Sequence, residues 1–285
     1  MQAFREEYLP LSQKQYFTQE ALMADPPQAD IYVCGSDQIW NRRLTNLATP
    51  TYFLEFAPKG TKRIAFAPSI SVPWSESDCD EIKNYLSKFD ALSVRESSNL
   101  SQVASLVDKP VYHVADPVFL LSSREWDEIA IKPQYKEPYL LCYFLSVSDL
   151  AVKTVKRLRE LTGLKIVHIN INALDKFHSD YNARVVGPRE FVGLIANATY
   201  VCTNSFHCTA FSLIYRKNLT VVPQTNIERL QSLKEVFKLD NMLSSEERIS
   251  QMTMDNIYSD YTIGEANVAQ YIASSKLFLN NAINQ

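Results

Sequence analysis

Residues 200–217 read YVCTNSFHCTAFSLIYRK. An apolar, β-rich run ends in three hydrogen-bonding side chains, Thr203, Asn204 and Ser205, and these lead into a helical pattern whose first turn holds His207. A strand that passes through a polar turn into a helix is the repeating step of an open α/β sheet, and such a turn lies at the sheet's carboxyl edge. Backbone N–H groups and the helix dipole favour anions there, so a phosphate or carboxylate suits the position. His207 can donate to such an anion or carry a proton near neutral pH. The plainer alternative is that Asn204 or Ser205 caps the helix and His207 is packed. Both readings stand open on the residues alone. Cys208 follows His207 directly, and neighbours on a helix point about 100° apart, so it reads as a small packing residue and not as a partner nucleophile.

Working outward, short apolar runs alternate with helical patterns over most of the chain, which predicts an α/β protein with parallel sheets. Strands are expected at 31–34, 63–67, 91–95 and 111–114, with helices over 76–88 and 98–107. Residues 130–138 carry Pro133 and Pro138 among charges and read as a linker. A second series follows: strand 139–145, helix 150–161, strands 165–170 and 184–186, a helix opened by Pro188, strand 199–203, helix 206–215, strand 219–222 and helix 227–238. Val268, Ile272, Ser275 and Leu279 recur at helical spacing, an apolar seam interrupted by one serine, and predict a closing helix.

Composition narrows the function. The chain has 285 residues, 46% of them apolar, enough for one large or two medium cores. A net charge of -3 has the wrong sign for a general nucleic-acid binder. With six glycines, no dinucleotide fingerprint or phosphate-binding P-loop can be written. The five cysteines are scattered and form no metal-ligand spacing, so neither a disulfide framework nor a metal site is expected. Arg5, Glu6 and Glu7 occupy the place of a signal peptide's apolar stretch, and no run of 18 apolar residues occurs, which predicts a soluble, cytoplasmic protein.

Two further turns carry chemistry. In DIYVCGSDQIWN (30–41), Gly35 permits close backbone approach, Ser36 and Asp37 follow a strand end, Asp37 could take a proton from a hydroxyl, and Trp40 could stack on a sugar or belong to the core. In LSVRESS (92–98), Arg95 emerges at a strand end, placed for a carboxylate or phosphate, or for an ordinary pair with Glu96. His113 and Asp116 in YHVADP are weaker candidates, as is Arg229.

These segments, with KRIAFAPSIS (62–71), VADPVFLL (114–121) followed by Trp126, and VGPREFVGLIANATYVCTNSFHCTAFSLIYRK (186–217), resemble the polysaccharide pyruvyl transferase family in an ordered series of blocks. The resemblance implies two Rossmann-like domains facing across a cleft, as in GT-B glycosyltransferases. The acceptor-side domain is expected over 1–136, and the donor-side domain with its closing helix over 137–285. It implies phosphoenolpyruvate as donor substrate, no further cofactor or metal, and a sugar acceptor in a polysaccharide or its precursor, which the family suggests is lipid-linked at the inner face of the cytoplasmic membrane. His207 matches the family's cleft histidine and becomes the expected general acid. Arg95 matches an arginine expected to hold the donor, and Asp37 is the candidate base. Ser36, Thr203, Asn204, Ser205 and Arg229 complete the expected substrate contacts.

The chain departs from the family pattern in three places. Ser205 stands where many members have an arginine, so positive charge is expected from Arg216, Lys217 or Arg229. Cys208 replaces a usual glycine and could crowd the anion. Nothing before Asp30 matches the family's first βα unit, so the N-terminal domain is expected to lack it. Rival functions are a sugar-nucleotide glycosyltransferase of GT-B type and a non-catalytic carbohydrate-binding relative.

Overall fold

The computed structural model describes residues 2–170, 176–224 and 227–285. It divides into two compact units, one formed by residues 10–120 with 268–285, the other by 1–9 with 121–267. Each contains one parallel sheet flanked by helices.

The first unit holds β1 (Ile31–Cys34), β2 (Lys62–Ala65), β3 (Ala91–Val94) and β4 (Val111–His113), paired in parallel in simple chain order. The expected strands are all present, some shorter by one or two residues. The helix Glu76–Ser87 starts where Ser75 and Asp78 form a capping box, which satisfies two N–H groups at the helix start. Its buried Ile82, Tyr85 and Leu86 join a core built around Trp40, Phe53 and Trp74. Trp40 is thus core: fully buried, with its ring stacked on Phe53 at 4.8 Å.

The second unit holds β5 (Tyr139–Tyr143), β6 (Lys165–Ile169), β7 (Tyr181–Ala183), β8 (Tyr200–Thr203) and β9 (Asn218–Val221), all parallel, in spatial order β7-β6-β5-β8-β9. After β7 the chain returns to the other side of β5, so the order reverses between β5 and β8. That is the topological switch point at which open α/β sheets bind ligands. The helix Asp149–Thr162 ends at Gly163 with φ 66°, and Pro188 opens the helix Pro188–Asn197 as expected.

Three expectations are corrected here. The strand expected at 184–186 lies at Tyr181–Ala183, because Asp180 ties that start to β6 through both its backbone N–H and its carboxylate, while Val185 is fully in solvent. The segment 130–138 is no free linker: Ile131 N–H donates to the Arg189 carbonyl, and Arg189 Nε donates back to the Ile129 carbonyl. Gly193 admits the Ile131 carbonyl so closely that a Cβ would sit 1.8 Å from its oxygen. The units accordingly divide near residue 120 and not at 136. The closing helix, Glu265–Asn284, belongs from residue 268 onward to the four-stranded unit and not to the five-stranded one. Its Phe278 packs with Ile64, Phe66 and Val114.

Candidate functional site

The His207 turn sits at the switch point of the five-stranded sheet. Thr203 ends β8, and its Oγ1 donates to the Tyr143 carbonyl of β5 at 2.6 Å while accepting from Ser205 N–H at 3.1 Å. Asn204 bridges to the loop after β5: Oδ1 accepts from Leu145 N–H at 2.8 Å, and Nδ2 donates to the Ser146 carbonyl at 2.8 Å. Ser205 is the N-cap of the helix Phe206–Ile214, accepting from Cys208 N–H. These three side chains therefore join the carboxyl ends of β5 and β8 and set the helix start. His207, half-buried on the first turn with its ring edge-on to Phe206, is the titratable side chain they position.

The charges expected beside it divide. The helix Phe206–Ile214 is about 13 Å long at 1.5 Å per residue, and Arg216 and Lys217 lie beyond its far end, so neither stands at the His207 edge. Arg216 pairs there with Glu265, and burial lowers the Lys217 pKa. Arg229 is half-buried on the first turn of the helix Glu228–Phe237, beyond the carboxyl end of β9, the neighbour of β8. Cys208 is fully buried, and desolvation pushes its thiol up to about 12, which suits packing and opposes a nucleophile.

At the carboxyl edge of the four-stranded sheet, all four strand ends contribute to a second polar cluster. Gly35, with φ 139°, brings the turn after β1 against β2, where a Cβ would lie 1.8 Å from the Phe66 carbonyl oxygen. Ser36 Oγ lies 2.8 Å from both the Ala67 carbonyl and Asp116 Oδ2. Asp116 also accepts from Arg95 Nη1 at 3.0 Å and from Val118 N–H at 3.1 Å. Arg95 Nε donates to Glu96 Oε1 at 2.9 Å, and Asn99 Nδ2 donates to Glu96 Oε2. Asp37, Ala67 and Ser71 all hold positive φ without being glycine, and such backbone strain clusters where function constrains a loop.

The guanidinium assigned from the sequence to a donor anion is enclosed. The Arg95 side chain is 1% exposed and held between Glu96 and Asp116, themselves 1% and 2% exposed. Burial alone would lower its pKa, but the two carboxylates raise it above the ordinary value. Its Nε and Nη1 are engaged by these two carboxylates, which the guanidinium fixes in place. Asp37 is the open group of the cluster, its side chain 62% exposed and Oδ1 3.7 Å from Arg95 Nη1. His113 and Asp116, the weaker sequence candidates, prove central, because His113 Nε2 lies 3.2 Å from the Arg95 carbonyl. Asn99 and Tyr271, which sequence reasoning passed over, also belong here; burial raises the Tyr271 phenol pKa, with the Glu96 and Asp116 charges adding.

The chain matches the family described as polysaccharide pyruvyl transferase over residues 3–225, and it belongs to that family. It is therefore a transferase-family protein, with a mixed α/β fold of GT-B type. No curated protein matches it. Among solved structures it is similar to a Listeria monocytogenes protein assigned as a UDP-N-acetylglucosamine 2-epimerase (10% identity, TM-score 0.54, 90% of this chain and 74% of that one). It is also similar to the UDP-N-acetylglucosamine 2-epimerase of Rickettsia bellii (14% identity, TM-score 0.50, 93% and 77%). At these identities the likeness concerns the fold alone. No helix among the described residues is long and apolar enough to cross a membrane.

Proposed function

We propose that the protein transfers a pyruvyl group from phosphoenolpyruvate to two hydroxyls of one sugar, forming a cyclic ketal and releasing phosphate. The observation that carries this reading is the half-buried imidazole of His207 at the switch point of a sheet in a chain of this family. His207, protonated, gives its proton to the methylene carbon of phosphoenolpyruvate. The carbon bearing the phosphate becomes oxocarbenium-like, and one sugar hydroxyl adds to it, losing its proton to Asp37. Phosphate then leaves with the bonding electrons and the proton that Asp37 had taken, and the second hydroxyl closes the ring as its own proton passes to the freed Asp37 carboxylate. The helix start and Arg229 supply positive potential for the departing phosphate.

The carboxylates around Arg95 support the acceptor side expected for the N-terminal domain and leave the donor to the His207 turn. Glu96, Asp116 and Asp37 outnumber the one guanidinium among them, a poor setting for an anionic donor and a suitable one for hydroxyls. The four-stranded unit, with Ser36 beside Asp37, thus takes the sugar, and the His207 turn, with Thr203, Asn204 and Ser205 as framework, serves the donor. The sugar of a polysaccharide precursor, lipid-linked at the inner membrane face, is the acceptor class proposed.

The test follows phosphate release from phosphoenolpyruvate with a panel of methyl glycosides bearing adjacent hydroxyls. His207→Ala is expected to lower kcat by about 10²- to 10⁴-fold, and Asp37→Asn to lower it with the phosphoenolpyruvate KM held. Unchanged turnover in both variants overturns the assignment. A thermal shift with UDP and none with phosphoenolpyruvate favours a sugar-nucleotide enzyme instead.

A further inference from the structure

The serine that interrupts the apolar seam of the closing helix is fully buried and bonded at both ends. β4 stands at the edge of its sheet, so backbone groups just beyond it that face away from β3 need partners from elsewhere. The closing helix provides them. Ala115 N–H donates to Ser275 Oγ at 2.8 Å, and Tyr271 OH donates to the Val114 carbonyl at 2.9 Å. The Ser275 hydroxyl itself donates to the Tyr271 carbonyl at 2.7 Å. One helical turn thus presents an acceptor and a donor to two successive residues, in place of a neighbouring strand. Tyr271 OH also lies 3.3 Å from His113 Nε2, the nitrogen that approaches the Arg95 carbonyl.

The next residue is Asp116, whose carboxylate holds both Arg95 and Ser36. We propose that Tyr271 and Ser275 are positioning residues: the closing helix fixes the backbone at 113–116, Asp116 transmits that position to Ser36, and the turn carrying Asp37 is set as a result. The inference rests on the acceptor reading of Asp37 given above. Packing alone does not require these hydroxyls, since Phe278 and Leu279 already seat the helix, and a buried hydroxyl is costly unless it is bonded.

The test uses the full chain with Ser275→Ala, Tyr271→Phe, and Leu277→Ala as an exposed control on the same helix. Amide hydrogen exchange is read at 34–38 and 113–118, together with kcat and KM for phosphoenolpyruvate in the methyl glycoside assay. Both hydroxyl variants are expected to exchange faster in both segments and to lose about tenfold in kcat at nearly constant KM, as small misplacements of reacting groups do. The control is expected to match the parent. Faster exchange at 113–118 with 34–38 unchanged overturns the proposal. If Ser275→Ala fails to fold, Tyr271→Phe, which keeps the ring, carries the test. Exchange that spreads to 34–38 in a protein releasing no phosphate upholds the coupling and rejects the acceptor reading instead.

Discussion

Replacing Arg95 with methionine will unlock the four-stranded unit without opening a large cavity. The guanidinium has hydrogen bonds of 2.9 Å to Glu96 and 3.0 Å to Asp116, and all three side chains are at most 2% exposed. Removing one member of a buried ionic group strands the others in a medium that solvates them poorly, a loss of about 3–5 kcal/mol, against 0–1 kcal/mol for an exposed pair. With a urea m-value of about 2 kcal/mol/M, the midpoint falls by about 2 M. Trp40 and Trp74 are buried in this unit, so their fluorescence in a Trp126→Phe background follows it alone. The companion Arg95→Met/Glu96→Gln/Asp116→Asn, which leaves no orphaned charge, is expected to recover part of the loss. A drop below about 1 kcal/mol for Arg95→Met refutes the reasoning. It would mean that the guanidinium is solvated and available to a ligand.

Gly35→Ala drives a Cβ to within 1.8 Å of the Phe66 carbonyl oxygen at φ 139°, so the turn must move. It is expected to cost about 3 kcal/mol or more in the same unfolding assay and to abolish phosphate release. Burial keeps the Cys208 thiol protonated up to about 12 against 9.0 for an ordinary thiol, so the unfolded chain releases that proton first. Stability from this group is complete below about pH 9 and declines as pH rises towards 12, and Cys208→Ala will reduce the slope of the urea midpoint with pH over that range.

Most of the fold could be read from hydrophobic periodicity because parallel strands buried on both faces leave continuous apolar runs, as at Leu140–Cys142 and Tyr200–Cys202. β7 escaped because its pairing depends on Asp180, a polar anchor that carries no periodicity. The segment 130–138 looked like a linker since its bonds to Arg189 and its fit against Gly193 are long-range and leave no local pattern. At the site, the polar turns at Ser36 and Asp37 and at Thr203–His207 were visible as punctuation after apolar runs. For Arg95 the pair with Glu96 was one of two open readings, and the bond to Asp116 left no sign. A strand-end arginine reads alike whether it faces a ligand or two carboxylates, and only tertiary structure brings Asp116 beside it. Ser275 showed as a flaw in a helical seam, and its partner at Ala115 lies 160 positions away.

The closing helix also bears on biosynthesis. Residues 10–120 leave the ribosome about 150 residues ahead of 268–285, the segment that completes their unit, a wait of about 7–30 s at 5–20 residues per second. Through that interval the Val114 carbonyl, the Ala115 N–H and the apolar surface around Ile64 and Phe66 lack their eventual cover. The nascent chain therefore carries an open, sticky margin until residues 268–285 have been made. Chaperone capture during synthesis should concentrate on that margin and subside once residues 268–285 emerge.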